Sequence, residues 1–447
     1  IFSDVPHLFK CIRNRLLKKR LLKVNGQWVN WSDYAAVYKE DCRNAGELKV
    51  CPKITHHHIY PSNMDLMRVK LATQVFSRAM KSGMEYYSDR KVPSLWNCTG
   101  TMEFTLRCNN LFDAMNRQHP DVGIRKGGKD LIVIKEAMEW LDEWEREVQS
   151  GKISKDMFLT QTTAEGLRVT MRSTIDLTEH LLNNCGYDYV LTAKFNQDPL
   201  ERFFGKIRQA ACENDHPDMP TFVQLYRMLM VYSLLKPPKF GNCQALTGEA
   251  PQLDFSFFKT TFKNQEGEDR TSSLERLKEK VDGLITTEAW ECDEVVASDE
   301  SQPEVVDCIV YYVTGFLCRK LGKMFSCEIC KESLSVSSAT QKEASLTTCK
   351  TRGGLIHPNV HLYRILHCAE KYFSEHMNDL NVFWDTVDYV LESCDLTFPC
   401  SQHKNEAVSK VLHYYVSMRM RQHCKAEARD SDKNAKEKKK QARLCNV

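Results

Sequence analysis

Residues 196–209 read NQDPLERFFGKIRQ, two carboxylates, two phenylalanines and three cations in one short stretch. Asp198-Pro199-Leu200-Glu201 reads as a helix start. Asp is a good N-cap, Pro fits the first helical position, and a Glu three residues past the cap reaches back to a free N–H. The same spacing permits a second use. Residues three apart face the same way on a helix, so both carboxylates can converge on one point and hold a metal ion. Phe203 and Phe204 would seat the helix against a core, while Arg202, Lys206 and Arg208 stay solvated or meet phosphate. Spacing leaves both readings open.

The chain around this stretch has 447 residues, enough for two to four domains. Its net charge of +3 gives no global basic field, so any nucleic-acid contact must rest on local charge. No apolar run reaches the roughly 18 residues of a membrane span, and no secretory signal is visible. The first residues are Ile1-Phe2-Ser3-Asp4 rather than Met, which reads as a piece of a longer protein. The 19 cysteines are scattered without a framework, as in an intracellular protein with reduced thiols.

Periodicity predicts a mostly α-helical architecture. Ile1 and Phe2 read as the end of a buried strand. Ser3 or Asp4 then caps a helix with Pro6 in its first turn, with Leu8, Phe9, Ile12, Leu16 and Leu17 as its apolar stripe. Lys10, Arg13, Arg15, Lys18 and Lys19 are read as its basic flanks. Asn25-Gly26 marks a hairpin-like turn, followed by a helix from Asn30 that ends before Gly46. Further helices are expected over Asn63–Met84, Thr101–Asn116 and Leu131–Val148. Thr162-x-x-Glu165 resembles a capping box opening a helix that Cys185-Gly186 stops. An apolar helix near Thr221–Leu235 breaks at Pro237-Pro238. Residues 241–306 read as an acidic linker, 307–424 as a second compact region and 425–447 as a solvated basic tail.

Three separated stretches, in order, resemble segments of the P-element superfamily of transposases, which includes the THAP-domain transposases. They are Ile1-Phe2-Ser3-Asp4-Val5-Pro6-His7-Leu8-Phe9-Lys10 with Arg13-Asn14, then Arg68-Val69-Lys70-Leu71-Ala72-Thr73-Gln74-Val75-Phe76-Ser77, and Asn196-Gln197-Asp198-x-x-Glu201-x-Phe203-Phe204-Gly205 with Asp215-His216-Pro217. The resemblance implies a mainly α chain in which a helical GTP-binding insertion interrupts a partial RNase H-like α/β catalytic domain, followed by a helical C-terminal domain. The corresponding boundaries are 1–9 for the end of the RNase H-like strand, 10–195 for the insertion and 196–240 for the return to the catalytic fold.

By that resemblance Glu201 is the third acid of a Mg²⁺ site, in which two ions activate the attacking oxygen and stabilise the leaving oxygen. Asp4 and His7 match an Asp-x-x-His pair of unassigned role; the first two family acids lie upstream of it. The chain alone is therefore expected to be inactive. The resemblance places a guanine nucleotide against Lys53, Arg68, Val69, Ser77, Asp113, Asn116 and Asp198. A carboxylate such as Asp113 accepts both N1–H and the exocyclic amine of guanine, which adenine does not offer. Lys53 and Arg68 can neutralise phosphate. No Gly-x-x-x-x-Gly-Lys-Ser/Thr loop is present, so this is not a P-loop GTPase. GTP is implied as an assembly cofactor and Mg²⁺ as the catalytic ion. The partners implied are DNA and further copies of the full-length protein, in the nucleus. Lys194, Arg202, Lys206 and Arg208 are candidates for DNA phosphate. The alternative is a domesticated, non-catalytic GTP- and DNA-binding regulator.

Tyr312-x-x-Gly315-x-x-x-Arg319-Lys320-Leu321 and the following Cys327-x-x-Cys330 are similar to the family's C-terminal domain. The cysteine pair is half a zinc site, with Cys349, His357 or His361 as candidate completions.

Overall fold

The computed structural model of the chain describes residues 2–210, 218–235, 274–282, 284–285, 303–338, 341–394 and 396–445. Asp215-His216-Pro217 and most of 241–306 lie outside them. The chain begins with α1 (Val5–Lys19), a hairpin of β1 (Leu21–Val24) and β2 (Gln27–Asn30), and α2 (Trp31–Asp41). Four short helices follow: α3 (His56–Ile59), α4 (Asn63–Leu66), α5 (Val69–Val75) and α6 (Arg78–Asp89). Then come α7 (Thr99–Met115), α8 (Lys129–Gln149), α9 (Gln161–Asn183), α10 (Asp198–Ala210), α11 (Met219–Leu235) and α12 (274–281). The remainder comprises α13 (Val305–Leu321), α14 (Glu328–Ser333), β3 (Ser335–Val336), α15 (Ser345–Lys350), β4 (His357–Pro358), α16 (Val360–His376), α17 (Val382–Ser393) and α18 (Lys404–Cys445). The four strands make two antiparallel ribbons, β1–β2 and β3–β4. The mainly helical reading holds.

The described residues divide into two compact units. One draws on Ile1–Asp33, His56–Lys81 and Asn97–Phe255; the other on Tyr34–Thr55, Ser82–Trp96 and Ser256–Val447. The stretch 10–195, read as one insertion, therefore supplies residues to both.

In the first unit Asp4 caps α1 by accepting from the His7 N–H at 3.1 Å, and Pro6 sits in the first turn as expected. Phe9, Ile12 and Leu16 are buried on one face. Arg13 lies on that same face, between Phe9 and Leu16, and is fully buried rather than a solvated flank. Its Nη2 donates to the carbonyls of Asp65, at 3.3 Å, and Leu66, at 3.1 Å. Desolvation brings its pKa down to about 10, with Asp65 opposing.

The turn at Asn25-Gly26 has both φ values positive, 48° and 81°, the geometry that matches strand twist in a two-residue hairpin. Gly100 opens α7 directly against this hairpin; a Cβ there would collide with the carbonyl oxygen of Trp28. The helix expected over 63–84 is broken twice. Ser62 and Asp65 form a capping box at α4, and Arg68 takes an extended backbone (φ −82°, ψ 111°) before α5. Met67, expected on the apolar side, is 68% exposed. The cap of α9 is Thr160, which accepts from the Thr163 N–H, two residues before the expected box. Phe2 lies outside any strand and packs on Phe195, ring centroids 5.2 Å apart; Ile1 lies outside the described residues.

In the second unit α13, α16, α17 and α18 surround an apolar core that includes Leu317, Leu321, Leu366, Val387, Val411 and Leu412. Leu277, Val281 and Ile285 join it. That part of the stretch read as a linker is thus a helix with apolar residues four apart, too short for its periodicity to stand out. Arg419 and Glu370, each side chain 2% exposed, pair at 2.7 Å. Tyr415 also donates to Glu370, and Arg419 donates to the Gly46 carbonyl. The basic residues after 424 continue α18 to Cys445, in keeping with their richness in Ala, Glu and Lys.

Candidate nucleotide-binding and catalytic site

Four of the residues assigned to guanine nucleotide, Ser77, Asp113, Asn116 and Asp198, lie at or near helix ends in the first unit, where short polar side chains tie α6 to α7 and α7 to α10. Ser77 precedes α6 and its hydroxyl accepts from the Met80 N–H at 3.3 Å. The next residue, Arg78, donates its N–H to Asn109 Oδ1 at 3.0 Å and its guanidinium to Asn110 Oδ1 at 3.2 Å. Asn109 then donates to the exposed carboxylate of Asp113, one helical turn further along α7, at 3.0 Å. Asn116, which ends α7, accepts from Asn196 Nδ2 at 3.2 Å. Asn196 Oδ1 in turn accepts from the Asp198 N–H at 3.2 Å.

The tie between α7 and α10 is braced from the backbone side. Thr192 Oγ1 donates to the Ala114 carbonyl at 2.8 Å and accepts from the Arg117 N–H at 2.9 Å. The last turn of α7 and the entry to α10 are therefore one hydrogen-bonded junction. Asp113 presents an acceptor edge to solvent there.

Arg68 and Val69 open α5 nearby in sequence. Arg68 is 66% exposed and lies 3.5 Å from Asp65, whose side chain is 5% exposed. Asp65 also meets His57 at 2.9 Å and the Ser62 hydroxyl at 2.8 Å, and Arg13 holds its carbonyl. The loop carrying Arg68 is thus fixed from beneath while its guanidinium stays in solvent. Lys53 lies in an exposed turn of the second unit.

The opening of α10 decides how the two acids of the 196–209 stretch are used. The Asp198 N–H is taken by Asn196 and the Glu201 N–H by the Gln197 carbonyl at 2.9 Å, so the cap sits before Asp198 rather than on it. Glu201, 56% exposed, points its Oε1 to within 3.7 Å of His7 Nε2. The other ring nitrogen of His7 meets Asp4 Oδ2 at 2.5 Å, and Asp4 Oδ1 accepts from the Gln197 N–H at 2.8 Å. Asp4, His7 and Glu201 form a chain tying the start of α1 to the start of α10. Both Asp4 oxygens are engaged in capping and clamping.

Lys194, Arg202 and Lys206 are exposed around this junction; the Arg208 side chain lies outside the described residues. Phe203 packs on Tyr226 and Phe204 on Phe222, centroids 5.8 and 6.0 Å apart, seating α10 on α11.

The residues that spacing alone does not single out are Asn109, Asn196 and Arg13. An Asn-Asn pair inside a helix is an anomaly, since Asn competes for backbone bonds and favours helix ends, and that signal points to Asn109.

Three family models match this chain in order along its length. A TNP-like GTP-binding insertion domain matches residues 6–125, a TNP-like RNase H C-terminal domain 193–227, and the C-terminal domain of DNA transposase THAP9 300–394. Over these stretches the chain is similar to P-element and THAP9 transposases. Among its relatives is the transposable element P transposase of Drosophila melanogaster, 29% identical over 225 residues that make up 48% of this chain and 28% of that one. Human DNA transposase THAP9 is 24% identical over 399 residues, 84% of this chain and 41% of THAP9. The chain thus spans less than half the length of either relative. A solved structure, the Drosophila P element transposase strand transfer complex, aligns over 52% of each chain at 26% identity, with a TM-score of 0.44. The α7–α10 junction straddles two matched models: Asp113 and Asn116 fall in the insertion-domain match, Asn196 and Asp198 in the RNase H C-terminal match.

The C-terminal cysteines are arranged differently from the sequence expectation. Cys349 Sγ meets the Ser82 carbonyl and Glu85, at 3.4 and 3.5 Å, and His357 Nδ1 meets the Tyr311 hydroxyl at 3.3 Å. The side chains that face Cys327 and Cys330 are those of Cys400 and His403.

Proposed function

We propose that this chain is the GTP-binding and Glu-bearing part of a cut-and-paste DNA transposase that acts in the nucleus, with GTP as an assembly cofactor. The observation that carries the reading is the junction of α7 and α10, where Asn109 meets Asp113 and Asn196 joins Asn116 to Asp198. Asp113 accepts the guanine N1–H and exocyclic amine. Arg68 meets phosphate charge, and Ser77 and Asn116 add neutral hydrogen bonds. Because Asn196 connects Asn116 to Asp198, an ordered nucleotide edge also orders the first turn of α10, and with it Glu201. That linkage gives a bound nucleotide a way to support assembly without being hydrolysed.

In the proposed chemistry Glu201 is one carboxylate of a Mg²⁺ site, and the other acids of the site come from elsewhere in the assembled enzyme. Mg²⁺, when bound, activates the attacking oxygen and stabilises the leaving oxygen. His7, held by Asp4, orients Glu201. Lys194, Arg202 and Lys206 neutralise DNA phosphates, positioning the duplex without reading sequence, so DNA affinity should fall steeply with salt.

The test is titration calorimetry of the 447-residue chain with GTP and ATP. GTP binds selectively, and Asp113→Asn weakens GTP by about 100-fold, near 2.8 kcal/mol, by leaving a guanine donor unmatched. Equal binding of both nucleotides, or of neither by the folded chain, overturns the reading. A second reading, a non-catalytic GTP- and DNA-binding regulator, is favoured by the His7–Glu201 contact, which gives the acid a partner other than a metal. In the full-length protein Glu201→Gln separates the two. A transposase loses strand transfer by at least about 1,000-fold, whereas a regulator keeps all its DNA binding and has no strand transfer to lose.

A further inference from the structure

Cys327 and Cys330 flank the opening of α14, and Cys400 and His403 immediately precede α18. Their four ligand atoms lie within 4.8 Å of one another, and they are the one such group of three or more His, Cys, Asp and Glu side chains among the described residues. Cys327 and Cys400 sulfurs stand 3.9 Å apart, and Cys400 Sγ stands 3.3 Å from His403 Nδ1. A tetrahedral ion at ~2.3 Å from sulfur and ~2.0 Å from imidazole nitrogen sets these separations near ~3.8 and ~3.5 Å. A disulfide would need the two sulfurs at about 2.0 Å and would use only two of the four groups. Cys330 and Cys400 are buried in the apolar core, where two isolated thiols have little to gain from each other.

We propose that Cys327, Cys330, Cys400 and His403 bind one structural zinc ion. The two pairs, Cys-x-x-Cys and Cys-x-x-His, are standard half-sites, and three sulfurs with one imidazole select zinc over magnesium or calcium. On binding, the three thiols release their protons and His403 coordinates as the neutral imidazole through Nδ1, so no oxidant is involved. With all four positions filled by protein the ion has no open site for substrate, which makes it a structural rather than a catalytic centre.

Its mechanical effect follows from where the pairs sit. His403 is the residue whose carbonyl accepts the first bond of α18, from the Ala407 N–H at 2.8 Å. Cys327 caps α14, with its carbonyl accepting from Lys331 at 3.1 Å. One ion therefore pins the starts of two helices separated by more than 70 residues of chain, and α18 carries the Arg419 that pairs with Glu370. The matched C-terminal model ends at residue 394, before the second pair. This inference is independent of the nucleotide and DNA readings.

The test is metal analysis of the full chain purified without chelator, with cobalt substitution as a geometric readout. The expected content is about one zinc per chain, falling at least about tenfold in Cys400→Ser and unchanged in Cys349→Ser. His403→Cys keeps the metal and shifts the cobalt spectrum from a three-sulfur to a four-sulfur pattern, so the proposal stays testable if the serine variant fails to fold. Folded wild type without zinc overturns the proposal, as does zinc that survives Cys400→Ser or is lost in Cys349→Ser. A Cys327–Cys400 disulfide found by mass analysis under non-reducing conditions overturns it as well.

Discussion

The α7–α10 junction and the Arg419–Glu370 centre are both polar networks, yet they serve opposite ends. At the junction the groups are amides, a hydroxyl and carboxylates at helix ends, with Asp113 exposed and Glu201 more than half exposed. At the Arg419–Glu370 centre a full ion pair is removed from water and shares its acceptor with Tyr415. Exposed polar groups at helix termini remain available to a ligand, because their desolvation has not yet been offset by protein partners. A buried pair is already committed. Desolvation lowers and the Glu370 charge raises the Arg419 pKa, and the raising effects win. The difference teaches where to look for function: in the network left unfinished at the surface.

Substitutions should separate the two networks. The largest effect belongs to Arg419→Met, which strands a buried Glu370 carboxylate. It should cost about 3–5 kcal/mol in denaturant unfolding of the second unit while leaving GTP affinity within about twofold. A loss of only a few tenths would show that the pair is not committed as described. Next comes Asn109→Ala, which disconnects Arg78 from Asp113. GTP binding by calorimetry should fall about 5- to 10-fold, with stability changed by no more than about 1 kcal/mol. A stability loss without a binding loss would place Asn109 with the structural network instead.

The smallest effect is a pH slope. His367 Nε2 meets Asp307 at 2.8 Å, and that hydrogen bond raises the histidine pKa despite desolvation. A raised folded pKa stabilises the charged form. The contribution is therefore complete below the unfolded value of about 6.5 and is lost as pH rises through the higher folded value. With His367 43% exposed, screening limits it to roughly 0.5 kcal/mol or less. Unfolding midpoints between about pH 6 and pH 8 should carry this slope, and Asp307→Asn should flatten it.

Much of this was legible in the sequence where one element carried its own signal. Pro6 behind a capping Asp4, the Asn25-Gly26 turn, and the periodic stripes of α7, α8 and α9 appear close to where spacing predicts them. Features that depend on distant partners were not legible. Arg13 looked like one more surface cation because its acceptors are carbonyls some 50 residues away. Cys400 and His403 lie more than 70 residues from the pair they face, with His357 and Cys349 nearer in sequence and no better in chemistry. Asn196 stood first in the quoted stretch, but its bond to Asn116 spans 80 residues. The start of α10 differs for the same reason: local residues nominated Asp198 as the cap, whereas the Gln197 carbonyl accepts the first bond and Asn196, bonded to Asn116 of α7, takes the Asp198 N–H.

Gly46 has φ +64°, and a Cβ at that position would come within 2.7 Å of Glu370 Oε1. Its carbonyl receives Arg419 from α18, almost at the other end of the sequence. Residues 34–55 and 82–96 lie within the span of the GTP-binding-domain match, yet they fold with the C-terminal helices. Heredity cannot therefore treat the two units as interchangeable cassettes. A recombination that swapped everything after residue 300 for the corresponding part of a distant relative would leave Gly46 facing a foreign acid and a foreign arginine. Such a hybrid would need compensating changes in its N-terminal third before it could fold.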